Sequence, residues 1–295
     1  MAITRTNKTC LVAGGSAGIG RETALGLARQ GHTVYIVGRD GRQVSDAVAG
    51  LREQSGNPFV HGALADLSSL QSIHDLGLRL RRQLPTLDIL VNNAGSLFTA
   101  YQLSAEGFEK NWAQNHLAQA ALTLELLPAL AITPRARIVT VSSALHGQGR
   151  MDFERLRQVP TPGAGFRALE SYAQAMLATV LFTYALARRL QGSGVSANCL
   201  HPGAGHAVCD AGRMTRLASR LMQPFRQSPV RGAQTVLRLA LAPELQGISG
   251  AYFTERGQVL SSLPSRDIGL QERLWALSLE QVGRGTQAAV RSAVM

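Results

Sequence analysis

Thr9-Cys10-Leu11-Val12-Ala13-Gly14-Gly15-Ser16-Ala17-Gly18-Ile19-Gly20-Arg21-Glu22-Thr23-Ala24 is the stretch that decides the fold. A short apolar run meets glycines at 14, 18 and 20, and a helical pattern begins at once behind them. Glycines there let backbone N–H groups approach a pyrophosphate, and a helix N-terminus adds partial positive charge. A turn that only packs helix on strand accounts for one or two glycines, not for three in a strand-turn-helix context.

Outward from this unit, apolar strands alternate with helical patterns. Strands are expected at Thr9 to Ala13, Thr33 to Val37, Phe59 to His61, Ile89 to Val91, Arg137 to Val141, Val195 to Leu200 and Ala251 to Phe253. Helices are expected at Gly18 to Gln30, Arg42 to Gln54, Leu70 to Leu84, Ala105 to Leu130, Leu169 to Leu190, Val230 to Ala242 and Ile268 to Leu279. Several strands are apolar on both parities, as when helices cover both sheet faces. The expected architecture is an α/β doubly wound parallel sheet of about seven strands, a single Rossmann-like domain over 1–282. Residues 283–295 are Gly-rich and polar and are expected to fray.

The formal charge of the 295-residue chain is +11, but the basic residues are scattered and nearly all Arg, with lysine only at Lys8 and Lys110. Aromatic residues make up 5% and form no stacking ladder, so nucleic acid is not expected as a partner. No apolar run is long enough to span a bilayer, and Met1 to Lys8 is polar, so neither anchor nor leader is expected. The three cysteines, Cys10, Cys199 and Cys209, are an odd number, two of them in strands, which suits a reduced, cytoplasmic protein.

The second strand ends Val37-Gly38-Arg39-Asp40. A carboxylate closing that strand would accept hydrogen bonds from both ribose hydroxyls of NAD, whereas a guanidinium favours a 2′-phosphate. Arg39 therefore points to NADP(H), with Asp40 left either to pair with Arg39 or to turn inward to the ribose.

Further motifs follow in order: Asp66-Leu67, Asn92-Asn93-Ala94-Gly95, Asn115-His116-Leu117, Val141-Ser142-Ser143, Tyr172 in a helix, and His201-Pro202-Gly203. Together with the Gly-x-x-x-Gly-x-Gly turn, the chain from 5 to 282 resembles the short-chain dehydrogenase/reductase family. Arg150-Met151-Asp152-Phe153, Val180-Leu181-Phe182 and Gly247-Ile248-Ser249-Gly250-Ala251-Tyr252-Phe253 resemble its retinol-dehydrogenase-like branch. The resemblance implies that Gly14, Ser16, Gly18, Ile19 and Gly20 cradle the pyrophosphate, that Asp66 and Leu67 hold the adenine, and that Asn93, Ala94 and Gly95 line the ribose. Pro202 and Gly203 would face the cofactor. Ser143 would hydrogen-bond a substrate carbonyl, Tyr172 would pass the proton, and Asn115 would position a water.

One member of that set is missing. Position 176, four residues after Tyr172 and on the same helical face, holds methionine where the family carries lysine. A thioether donates no proton and carries no charge. Free tyrosine titrates near ~10, and bringing it to about 7 requires roughly 4 kcal/mol that Met176 does not supply. Oxidation needs Tyr172 as a base, whereas reduction needs only the proton it already carries. Surviving redox chemistry is therefore expected to be slow and reductive, on a lipophilic ketone or aldehyde. Ala13 and Ala207, where the family has threonines, point the same way.

Two alternatives stand beside this one: a non-redox cyclase, isomerase or lyase using Ser143 and Tyr172 as acids, and a ligand-binding pseudoenzyme. His146, His201, His206 and Arg167 lie in expected loops near the strand ends, and His146 is the preferred replacement base. Cys199, His201, His206 and Cys209 have metal-ligand character, but Cys199 lies in a strand and His201 precedes Pro202-Gly203, so no metal site is assigned. Met214, Leu217, Leu221, Met222 and Phe225, interleaved with Arg213, Arg216 and Arg220, suggest a substrate lid over about 204–228, and a membrane partner is not favoured. The family's habit of pairing subunits through the helices of Asn115 and Tyr172 suggests a homodimer, with Leu177, Val180, Leu181 and Tyr184 as its apolar face.

Overall fold

The computed structural model describes residues 7–158, 165–203 and 228–283. The expected lid, with His206, Ala207 and Cys209, and the tail from 284 lie outside the described residues.

Eight strands form one sheet in the order β3-β2-β1-β4-β5-β6-β7-β8. They are β1 (Thr9–Ala13), β2 (Thr33–Gly38), β3 (Val60–Leu64), β4 (Ile89–Asn92), β5 (Arg137–Val141), β6 (Ser196–Leu200), β7 (Tyr252–Thr254) and β8 (Gly257–Val259). β1 to β7 pair in parallel, and β8 returns antiparallel on β7. The order reverses between β1 and β4, the switch point outside which such sheets bind ligands.

Helices α1 (Gly18–Arg29), α2 (Gly41–Ser55) and α8 (Pro229–Leu241) cover one face. The other is covered by α3 (Leu70–Gln83), α5 (Ala118–Ala131), α7 (Ala168–Arg189) and α9 (Ile268–Val282). Short helices α4 (Lys110–Trp112) and α6 (Phe153–Arg157) complete the set. Two apolar clusters fill the layers, and both include inward residues of β1 and β4, which explains why those strands are apolar on both parities.

Three features depart from the sequence expectation. The seven-strand count omits β8, a three-residue edge strand whose turn depends on Gly257 at φ +112°. The apolar spacing predicts a helix from Ala105, but Gly107 at φ +83° breaks that run, and the chain enters the helix only at Lys110, where the Glu109 carboxylate caps the amides of Asn111 and Trp112. Between α4 and α5 the backbone widens into a π-turn over Ala113–Leu117, a local form with no signature in hydrophobic spacing.

α9 packs on part of the face of α7 expected to meet a second subunit. Leu177, Val180 and Leu181 are fully buried by this chain itself. Leu177 and Leu181 share a cluster with Leu274, Trp275 and Leu277 of α9, while Val180 packs with Cys199 and Tyr252. Phe182 stacks on Trp275 at 5.0 Å, and Arg189 lies over the same indole at 4.2 Å. His116 Nε2 meets Ser278 Oγ at 2.8 Å, and Trp112 Nε1 donates to Gln281 Oε1 at 2.8 Å. Of the apolar face expected for dimerisation, Leu177, Val180 and Leu181 are thus covered within the chain, while Tyr184 is half-buried and donates its hydroxyl to Ser261 Oγ at 2.8 Å. No helix among the described residues is long and apolar enough to cross a membrane.

Candidate active site

The turn after β1 folds because glycine alone fits it. Gly14 has φ +72° and Gly18 φ +55°, and a Cβ on Gly20 would lie 2.1 Å from the Gly14 carbonyl oxygen. Gly14 and Gly15 donate to the Val37 carbonyl at 3.0 and 3.3 Å, tying the turn to the end of β2. Asn93 Nδ2 donates to the Gly14 carbonyl at 3.3 Å, so the β4 loop with Ala94 and Gly95 closes against the same turn. α1 starts behind Ala17 with no side-chain cap and no acidic residue in its first turn. Its leading N–H groups, at the positive end of the helix, fit an anion. Ile19 and Pro202 approach each other across Gly232 of α8, where a Cβ would come within 2.8 Å of Ile19 Cδ1 and 3.5 Å of Pro202 Cβ. Gly203 follows at φ +111°.

At the rim, Arg39 is exposed just beyond β2. A Cβ on Gly38 would lie 3.3 Å from Ser16 Oγ, so the serine hydroxyl stands beside the residue preceding Arg39. Asp40 does neither of the two things expected of it: its Oδ1 accepts from Gln43 N at 2.7 Å and caps α2. Asp66 is exposed, its Oδ1 accepting from Ser68 N at 2.9 Å and Ser68 Oγ at 2.7 Å, and Leu67 is buried beneath it. These residues fit a phosphorylated dinucleotide: a turn with no room for a Cβ at Gly15 and Gly20 and positive φ at Gly14 and Gly18, an uncapped helix end, and a cation at the rim.

The expected reaction-centre residues converge at the carboxyl ends of β4 and β5. Tyr172 and Met176 share a helical face of α7 and form a small buried cluster with Leu97, flanked by Leu145 and Ala168. Ser142 Oγ donates to the Met176 carbonyl at 3.1 Å, fastening the end of β5 to α7 beside Ser143. Past Ser143 the chain presses on α7 where only glycine fits, since a Cβ on Gly149 would lie 2.4 Å from the Ala173 carbonyl oxygen. The Ser143 hydroxyl is half-buried and accepts from Leu145 N at 3.3 Å, leaving its own proton to donate.

Asn115 sits in the π-turn, wholly buried. Its Oδ1 accepts from Ser96 N at 2.8 Å, and its Nδ2 donates to the carbonyls of Ser96 (2.8 Å) and Asn111 (2.9 Å). Thr179 Oγ1 donates to the Asn115 backbone oxygen at 3.1 Å. The carboxamide is therefore committed to shaping the Ser96 turn, and the backbone oxygen, with two lone pairs, can share a water with the Thr179 hydroxyl it already accepts.

His146 is not built as a replacement base, because both ring nitrogens are engaged. Nδ1 lies 2.9 Å from the Ser143 carbonyl oxygen, and Nε2 accepts from Ser262 N at 3.2 Å. Burial lowers its pKa, opposed by the hydrogen bond to Ser143. Arg167 is likewise occupied, paired with Glu170 on the surface at 2.8 Å. Cys10 and Cys199 are buried thiols whose pKa values burial drives far up, and no grouping of metal-ligating residues occurs among the described residues. A cavity of about 570 Å³ opens at the other end of α7, lined by Arg188, Gln191, Ser196 and Gly250 among others, and touches none of the residues above. Tyr252, quoted above only for its motif, adds a contact that spacing does not show: its hydroxyl reaches the Ser143 carbonyl at 3.5 Å because β7 lies beside β6.

Comparison with known proteins gives a consistent picture. Residues 8–154 match the short chain dehydrogenase family. Human retinol dehydrogenase 12 is 37% identical over 287 residues, 95% of this chain and 90% of that protein. Human retinol dehydrogenase 13 is 36% identical over 285 residues, 94% of this chain and 85% of that protein. A crystal structure of an uncharacterised protein from Mycobacterium paratuberculosis superposes with a TM-score of 0.74 at 32% identity, covering 93% of this chain and 92% of that one.

Proposed function

This chain belongs to the short chain dehydrogenase family, and on that footing we propose that it is an NADP(H)-dependent reductase of a lipophilic ketone or aldehyde, slow because Met176 stands where the family has its catalytic lysine. The observation that carries this reading is the joint placement of Tyr172, Met176 and Ser143 around the end of β5, next to a glycine turn that fits a pyrophosphate. When bound, NADPH supplies the hydride. Ser143 donates a hydrogen bond to the substrate oxygen, and Tyr172 delivers its phenolic proton to that oxygen as the alcohol forms. Asn115 holds the Ser96 turn and can keep one water on its backbone oxygen. Leu97, with Met176 beside the phenol, gives the site an apolar wall suited to an apolar substrate.

Arg39 supports NADP(H) over NAD(H), because Asp40 is engaged as a helix cap and Ser16 stands at the same rim. The retinol dehydrogenase names of the relatives suggest, without more, an extended apolar substrate for this chain.

The test is fluorescence titration with NADPH and NADH, then NADPH consumption against a panel of lipophilic ketones and aldehydes. We expect NADPH binding and slow reduction, with alcohol oxidation far slower still at neutral pH. Met176→Lys is expected to raise turnover and to melt lower without cofactor than with it, since an unpaired buried ammonium is costly. Failure of NADPH to bind would sink the reading. NADPH binding without turnover, unchanged in Met176→Lys, would favour the second reading, a non-redox enzyme or ligand-binding protein. That alternative draws support from how closely Met176 is packed against Leu97 and Tyr172.

A further inference from the structure

We propose that His146 is a positioning residue, whose Nδ1–H holds the Ser143 carbonyl so that the Ser143 hydroxyl is presented to the substrate oxygen, while its Nε2 ties that arrangement to the segment at Ser262. The proposal rests on the reading of Ser143 as the carbonyl hydrogen-bond donor. Nε2 lies 3.2 Å from the Ser262 amide, which can only donate, so Nε2 must be the acceptor. The ring proton of neutral His146 is then on Nδ1, 2.9 Å from the Ser143 carbonyl oxygen, where it donates. Burial favours this neutral form.

Three donors converge on that one carbonyl: the His146 amide at 3.0 Å, the His146 ring, and the Tyr252 hydroxyl at 3.5 Å. The imidazole is itself held against the Tyr252 ring at 4.7 Å. β5 ends at Val141, and Ser142 N makes a last bond to the Leu200 carbonyl at 2.7 Å. Ser143 is thus the first residue beyond sheet support, and His146 supplies what the sheet no longer does. A hydroxyl displaced by a fraction of an ångström loses much of its value to a transition state, because donors must meet the oxygen at close to ideal distance.

Three variants separate positioning from packing. Asn at 146 can place an N–H donor where Nδ1 was but cannot reach Ser262; Gln can place an acceptor near Ser262 but not the donor to Ser143; Phe keeps the ring and neither bond. In NADPH-dependent carbonyl reduction, kcat is expected to fall about tenfold or more in His146→Gln and His146→Phe, with NADPH affinity unchanged, and to be largely retained in His146→Asn. Equal kcat in all three, or losses that follow melting temperature alone, would overturn the proposal. Amide hydrogen exchange of the unliganded variants supplies a readout independent of turnover. Faster exchange at residues 143–146 in the Gln and Phe variants but not in the Asn variant supports positioning, and unchanged exchange overturns it. If wild-type protein reduces no carbonyl, the functional reading fails by itself, and exchange still decides whether His146 holds Ser143.

Discussion

Single atoms set the cofactor and the turn that holds it. If the proposed NADP(H) function holds, with Arg39 on the 2′-phosphate, Arg39→Asp should weaken NADPH binding about tenfold or more, in line with the roughly 1.5–3 kcal/mol of a hydrogen bond to a charged group, and leave NADH unchanged or improved. Titration of cofactor fluorescence measures both, and an unchanged NADPH affinity would remove Arg39 from the site. Gly20→Ala drives a methyl into the Gly14 carbonyl, 2.1 Å away, and is expected to abolish nucleotide binding while the far edge of the sheet stays folded. At this scale the sequence was informative where chemistry is local. The glycine turn could be read by residue type and spacing alone, whereas the fates of Asp40 and His146 could not. Both depend on which neighbour arrives first: an amide of α2 for the carboxylate, and Ser262 from 116 residues away for the imidazole.

Elements succeed or fail as units, and the segment joining β5 to α7 is the one on which the reaction centre depends. Gly149→Ala would place a methyl 2.4 Å from the Ala173 carbonyl and 2.7 Å from Leu177 Cβ, prising the chain beyond Ser143 away from the helix of Tyr172. A loss of about 1–3 kcal/mol in stability and a larger proportional loss of turnover are expected, read by denaturant melts and initial rates. The π-turn of Asn115 belongs here too, since strain-prone backbone of this kind tends to sit at functional sites. Strands and helices were legible because alternating apolar runs of βαβ type have a repeating period. β8 and the π-turn were not, because one is three residues long and the other is a one-residue slip in hydrogen bonding that leaves the hydrophobic pattern unchanged.

Across the whole molecule, the packing of α9 governs acid behaviour and argues for a monomer. With Leu177, Val180 and Leu181 covered within the chain, the protein is expected to travel as a monomer in light scattering, and a dimer that persists with α9 in place would have to use another face. His116, fully buried between α7 and α9, has its pKa lowered by burial from 6.5 to about 3. The unfolded chain therefore takes up this proton first, and stability falls as pH drops from about 6.5 toward 3. Thermal melts should show a lower midpoint at pH 5 than at pH 7.5, with a shallower slope in His116→Asn; a midpoint independent of pH in that range would refute the assignment. Glu272 acts lower down: hydrogen bonds from Arg189 and then Arg188 hold its pKa at about 2, so what it contributes in joining α7 to α9 is lost only as pH falls from about 4.5 toward 2. The seam carries its own optical probe. Both tryptophans of the chain border it, Trp275 beneath Arg189 and Trp112 through Gln281. Intrinsic emission will therefore report how firmly the last helix is seated, and an emission change that precedes the loss of circular dichroism on heating would mark that helix as the first part of the protein to come away.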